Sequence, residues 1–179
     1  LRSGVWGSLD GTYVKRLEVE FATLQGARHG IACVNGTMAL TVALKALGIG
    51  AGDEVLVPPY TFIATASAAL MIGAIPVFVD VDLETLLIDP ALIDAAVTPR
   101  TRAIIPVHHG GSPADMDGVM AAARRHGLKV IEDAAQSMGA NWRGRLIGTT
   151  GDLVSISFHA NKNITTAEGG CLVLNNEAE

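Results

Sequence analysis

Short β-branched runs take turns with helical patterns along this sequence. Gly30–Val34 precedes Thr37–Leu47, Glu54–Val57 precedes Phe62–Ile72, and Ile75–Asp80 precedes Pro90–Ala96. The rhythm continues through Ala103–Val107, Met116–His126 and Lys129–Glu132, and two more strands are expected at Leu153–Phe158 and Cys171–Leu174. Strands joined through helices lie parallel, because a tight turn can only reverse the chain. The pattern therefore predicts an α/β domain, a mostly parallel sheet with helices on both faces. Gly48, Gly73 and Gly127 each close a helical pattern, as left-handed cap residues do. Ahead of the first strand, Tyr13, Leu17, Phe21 and Leu24 recur at helical spacing across Thr12–Gln25 and predict an amphipathic helix packed on the main body. Gly139–Gly151, rich in glycine and polar residues, reads as a loop.

Composition removes several function classes. With 49% hydrophobic and 17% charged residues in 179, the chain has the apolar content of one folded domain. Its apolar run from Phe62 stops at Gly73, well short of the roughly 20 residues a membrane span needs. Thirteen basic residues, scattered against eighteen acidic ones, give a net charge of −5, which speaks against a nucleic-acid partner. Cys33 and Cys171 sit in apolar segments and read as buried free thiols in a reducing compartment, so a cytoplasmic location is expected. The sequence starts at Leu1 without a charged and then apolar leader, and is read as a fragment without a secretory signal.

In open α/β sheets, ligands bind beyond the carboxyl ends of the strands. The first strand runs into Asn35, Gly36 and Thr37 and then into a helix, which makes either a helix cap or an anion site at the positive end of the helix dipole. The second ends near Tyr60 and Phe62, where Phe62 is either core packing or an exposed aromatic surface. His108 and His109 follow the Ala103–Val107 strand. Without further ligands at a recognised spacing they read as loop or cofactor-edge contacts, and no metal is expected. Asp133 follows the Lys129 strand, where a carboxylate can face a cationic ring nitrogen or cap a helix.

Lysine is scarce: Lys15, Lys45, Lys129 and Lys162 are the four. The first two lie in amphipathic helices and the third opens a strand, whereas Lys162 follows a strand within Ser157–Asn163. It is either a surface loop lysine or a reactive amine whose desolvation lets it attack a carbonyl. An amine at Lys162, an anion cradle at Gly36 and Thr37, a carboxylate at Asp133 and a flat ring at Phe62 together fit what pyridoxal 5'-phosphate requires.

Four stretches in order carry a family resemblance: NGTMALTVALKALGIGAGDEV from Asn35, PPYTFIATASAALMIGAIPVFVDVD from Pro58, IEDAAQSMGA from Ile131 and SFHANKNITTAEGG from Ser157. Over nearly its whole length the chain resembles the N-terminal large domain of the DegT/DnrJ/EryC1/StrS aminotransferases, pyridoxal-phosphate enzymes of fold type I. The resemblance implies that residues 1–179 form the cofactor-binding large domain of a longer chain with a smaller C-terminal domain. It also implies a homodimer in which the second subunit completes the site, so that the fragment alone is inactive. Lys162 then looks like the Schiff-base lysine, Asp133 the partner of the pyridine nitrogen, and Gln136 a neighbour of the ring hydroxyl. Gly36, Thr37 and Ser157 resemble the phosphate-binding set, and Phe62 the ring that stacks on the cofactor. The implied activity is transfer of an amino group from glutamate or glutamine to a keto sugar on a nucleotide carrier, in lipopolysaccharide, antibiotic or other amino-sugar biosynthesis. Relatives that dehydrate carry histidine in place of the lysine, so Lys162 favours transfer over a lyase, a dehydratase or a non-catalytic regulatory relative. Ala167 stands where many members have glycine, which leaves open whether that turn adopts a positive φ. His159 belongs to the motif, as either a structural or an active-site contact.

Overall fold

The computed structural model describes residues 11–174. The helix α1 (Thr12–Leu24) leads into β1 (His29–Cys33), α2 (Gly36–Ala46), β2 (Glu54–Val57), α3 (Ala64–Leu70), β3 (Ile75–Phe78) and α4 (Pro90–Ala96). These are followed by β4 (Thr101–Ile104), α5 (Met116–His126), β5 (Lys129–Asp133), β6 (Asn141–Trp142), β7 (Arg145–Leu146), β8 (Leu153–Ser157) and β9 (Gly170–Leu174). Seven strands form one sheet in the order β1-β9-β8-β5-β4-β2-β3, and β6 and β7 make a separate hairpin. The pairs β2–β3, β2–β4, β4–β5 and β5–β8 are parallel, as the crossover helices require. β9 alone is reversed, antiparallel to both β8 and β1. The physical reason lies in the connection. Residues 158–169 between β8 and β9 contain no helix, so they turn the chain back rather than carry it across the sheet.

Local chemistry places several boundaries. Asp89 accepts a hydrogen bond from the Ala91 N–H, and Pro90 occupies the first turn of α4, where its missing N–H costs nothing. α5 is capped by the Asp115 side chain on the Gly118 N–H, carries Arg124, Arg125 and His126 in its last turn, and stops at Gly127 with φ +65°. One face of the sheet packs on α2 and α3 through Leu40, Leu44, Val55, Ala68 and Ile131, all buried. The other packs on α4 and α5 through Leu56, Ile93, Ile104, Met116 and Val130.

Two sequence expectations need correction. The stripe on α1 is mostly uncovered among the described residues: Tyr13 is 65% and Leu24 60% exposed, and Phe21 and Ala22 alone are buried. Phe21 meets Phe158 edge-on with ring centroids 5.2 Å apart, which anchors α1 at the β8 end. Within Gly139–Gly151, the expected loop, lies the β6–β7 hairpin, turned by Arg143 and Gly144 at φ +48° and +86°. Of the two cysteines, Cys171 is buried and its thiol is pushed up to about 12, chiefly by burial, while Cys33 is half-buried; both are free.

Candidate active site

Because β1, β2, β4, β5 and β8 run one way, their carboxyl ends share one edge of the sheet. A cleft of about 290 Å³ opens there, and Gly36, Thr37, Phe62, Asp133, Gln136, Ser157 and Lys162 all line it. Residues up to 126 apart in sequence are thus gathered by strand order alone.

At one end of the cleft stands the N-terminus of α2. Asn35 Oδ1 accepts from the Met38 N–H at 2.9 Å and so caps the helix, while the N–H groups of Gly36 and Thr37 remain at its positive end. Cap and anion site are therefore compatible readings of the same residues. Close approach explains two glycines here: a Cβ on Gly170 of β9 would lie 2.5 Å from the Asn35 carbonyl carbon, and one on Gly36 would lie 3.0 Å from Ser157 Cβ. Ser155 Oγ donates to the Gly36 carbonyl at 2.9 Å and ties the helix start to β8.

Asp133 ends β5 and is buried. Its Oδ2 accepts from Thr65 Oγ1 at 2.8 Å and its Oδ1 from the Ala135 N–H at 3.2 Å. No helix follows it, so the helix-cap reading fails; the carboxylate closes a short turn and faces the cleft. Burial pushes its carboxyl above the ordinary range, against the Thr65 and Ala135 hydrogen bonds and the nearby Lys162 charge. Lys162 is half-buried on the β8–β9 loop, its backbone N–H bonded to the His159 carbonyl at 2.9 Å. Its ammonium forms no ion pair among the described residues. Phe62 precedes α3 rather than lying within it and is 67% exposed, so core packing does not account for this ring. The Gln136 amide is fixed by its Oε1, which accepts from the Gly110 N–H at 2.9 Å and leaves the NH₂ end as donor. Ala167 does take a left-handed conformation, φ +68°, despite its Cβ.

The structure also adds residues that the sequence did not mark: Thr65, which holds Asp133; Thr61, bonded to Thr65 at 2.9 Å; and Asn161 and Glu168 on the cleft wall. His159 lies on that wall too, 2.8 Å from Asn161 Oδ1.

His108 turns away from the cleft. Its Nδ1 accepts from the Ala114 N–H at 3.0 Å, so the ring proton sits on Nε2, 3.0 Å from Glu132 Oε2. Glu132 also accepts from the backbone N–H groups of Gly148, Thr150 and Gly151, at 3.0, 2.9 and 2.6 Å. Burial pushes this carboxyl up, but His108 and the N–H groups outweigh it and hold it below its ordinary range. A depressed carboxyl stabilises the fold above its unfolded value and loses that contribution as pH falls through its folded value. Glu132→Gln is expected to destabilise the full-length protein by about 2–4 kcal/mol near neutral pH, since an amide cannot accept four bonds and turns N–H groups toward N–H groups. Denaturant titration at pH 7 and at pH 4 checks it: the gap between wild type and variant should narrow at the lower pH.

This mainly parallel α/β architecture is shared with solved structures of fold type I aminotransferases. The chain belongs to the DegT/DnrJ/EryC1/StrS aminotransferase family, whose sequence pattern matches residues 1–179. It is 53% identical over 169 residues to UDP-N-acetyl-3-dehydro-alpha-D-glucosamine 3-aminotransferase of Acidithiobacillus ferrooxidans, covering 94% of this chain and 46% of that protein. The aminotransferase of Psychrobacter cryohalolentis superposes with a TM-score of 0.94 at 48% identity, covering 96% of this chain and 44% of that one. NtdA of Bacillus subtilis with bound cofactor PMP superposes with a TM-score of 0.93 at 37% identity, covering 99% and 40%. The chain thus spans about half the length of the relatives it matches.

Proposed function

We propose that this chain is the cofactor-binding part of a pyridoxal-phosphate-dependent aminotransferase that moves an amino group from glutamate or glutamine to a keto sugar, carried on a nucleotide. The observation that carries this reading is the convergence of Lys162, the buried Asp133 and the free end of α2 on one cleft. The residues fit the group: the donors at Gly36 and Thr37 suit a phosphate, and a buried carboxylate suits a cationic ring nitrogen. Pyridoxal phosphate, when bound, supplies an electron sink for the carbanion left by proton removal.

The remaining work falls to the chain. Gly36 and Thr37 N–H groups and the Ser157 hydroxyl would hold the phosphate, and Phe62 would cover one face of the ring. Asp133 would keep a proton on the pyridine nitrogen, and the Gln136 NH₂ would donate to the ring hydroxyl. Lys162 would hold the aldehyde and then, once released, move a proton between the substrate carbon and C4′ of the cofactor. A homodimer is part of the proposal. Apolar side chains exposed at the start and end of α3, Ile63 and Leu70 among them, support a covering partner subunit. Titrating the purified full-length protein with pyridoxal phosphate and then with glutamate or glutamine tests the reading. A visible band should grow and then convert on donor addition; no band, or a band that neither donor changes, rejects it.

A further inference from the structure

Beyond Lys162 the cleft continues into a second recess of about 380 Å³, walled by Phe62, Gly110, Gln136, Asn161, Lys162 and Asn163. Asn163 and Gly110 belong to this recess alone; the other four also face the main cleft. The chemistry of the two spaces differs. The main cleft holds the helix end and Asp133, whereas the recess presents three side-chain amides and a glycine, with Lys162 as its one charged group among the described residues. A carboxylate ligand calls for a guanidinium or ammonium clamp, which this wall does not offer beyond the reacting amine itself. Hydroxyl groups, each both donor and acceptor, match amides.

Each of the two asparagines is held by a neighbour outside the recess. Asn163 Nδ2 donates to the Met138 carbonyl at 3.2 Å, which leaves its Oδ1 as the free acceptor. Asn161 Oδ1 lies 2.8 Å from His159 Nδ1, which holds this amide against the imidazole. They stand immediately before and after Lys162 in the chain, so the Asn163 acceptor and a second amide flank the amine. We infer that this recess seats the hydroxyl-bearing ring of the amino acceptor, with Asn163 as its specificity-determining residue and Asn161 as its partner. This rests on the aminotransferase reading above and assigns the acceptor a place within that site.

The test separates the two half-reactions of the full-length holoenzyme by single-turnover absorbance: glutamate with the pyridoxal form, then a panel of 3-keto and 4-keto hexoses on UDP, GDP and TDP with the pyridoxamine form. In Asn163→Leu and in Asn161→Ala, kcat/KM of the acceptor half-reaction should fall at least about tenfold more than that of the donor half-reaction, mainly through KM. Asn163→Ser provides the same ratio should the Leu variant fail to load cofactor. Equal losses in both half-reactions would mean that Asn163 merely holds its loop through Met138, and would overturn the inference. So would an unchanged acceptor KM. A wild type that fails the donor step instead overturns the aminotransferase reading; one that completes it but uses no keto sugar of the panel removes this acceptor class and the inference with it.

Discussion

In the full-length protein, Lys162→Ala is expected to remove covalent cofactor attachment and to cut turnover by at least about 10³-fold, since under the proposed function the one side chain would serve both as attachment point and as proton carrier. Of the four lysines, Lys162 alone lines the cleft, and its charge reaches the buried Asp133. The described side chain makes no ion pair, so its loss should move the thermal midpoint of the cofactor-free protein by only a few degrees, on the order of what an ordinary surface change does. Borohydride reduction followed by peptide mass analysis measures the first effect. Wild type should carry the cofactor mass on the peptide containing Lys162, and the variant on none. A cofactor mass on Lys129, or a visible band that survives the substitution, would place the reacting amine elsewhere.

How much of this was readable in the sequence follows the range of the interactions concerned. The limits of α4 and α5 coincide with their expected spans because their caps, Asp89 with Pro90 and Asp115 with Gly127, are encoded within a turn of the ends they make. α3 starts two residues later than the apolar pattern implies. Its N-terminal flank carries no side-chain cap, and Phe62, apolar but turned to the cleft, extends the pattern without belonging to the helix. The β6–β7 hairpin escaped because strands of two residues show no period. At the site, position was legible and partnership was not. Strand ends brought Gly36, Asp133 and Lys162 under suspicion from composition alone. The bond from Thr65 to Asp133 spans 68 residues, and the one from His108 to Glu132 spans 24; both depend on which strands neighbour each other. Sequence spacing carries no information about that order. The exposed stripe of α1 is a related case: periodicity shows that a face is apolar, and not whether anything among the described residues covers it.

Asp133→Asn should act in opposite directions on stability and on function. Burial raises this carboxyl, so over the interval between its unfolded value, about 3.9, and its raised folded value the native protein keeps a proton that the unfolded chain has released. The favourable contribution is therefore present below that interval and is lost as pH rises through the folded value, above which an ionised carboxylate is left buried at a cost. Asparagine fills the same space, still accepts one hydrogen bond and donates another toward Thr65, and carries no charge to bury. Cofactor-free full-length Asp133→Asn protein should therefore match wild type at acid pH and melt higher near neutral pH, by roughly 1–2 °C for each kcal/mol recovered. Pyridoxal phosphate should invert the order. A cationic ring nitrogen opposite the carboxylate makes the charged form the favoured one, so wild type gains the larger rise in midpoint on cofactor binding, while turnover of the variant falls on the order of 10²–10³-fold. Melting curves across pH, with and without cofactor, measure both halves. A variant that is less stable than wild type near neutral pH without cofactor would show that Asp133 is a structural anchor of β5. One that keeps full turnover would show that no charge is needed opposite the ring. A buried carboxyl whose ionisation costs the empty fold stability fits a site selected for what it binds rather than for the stability of that fold.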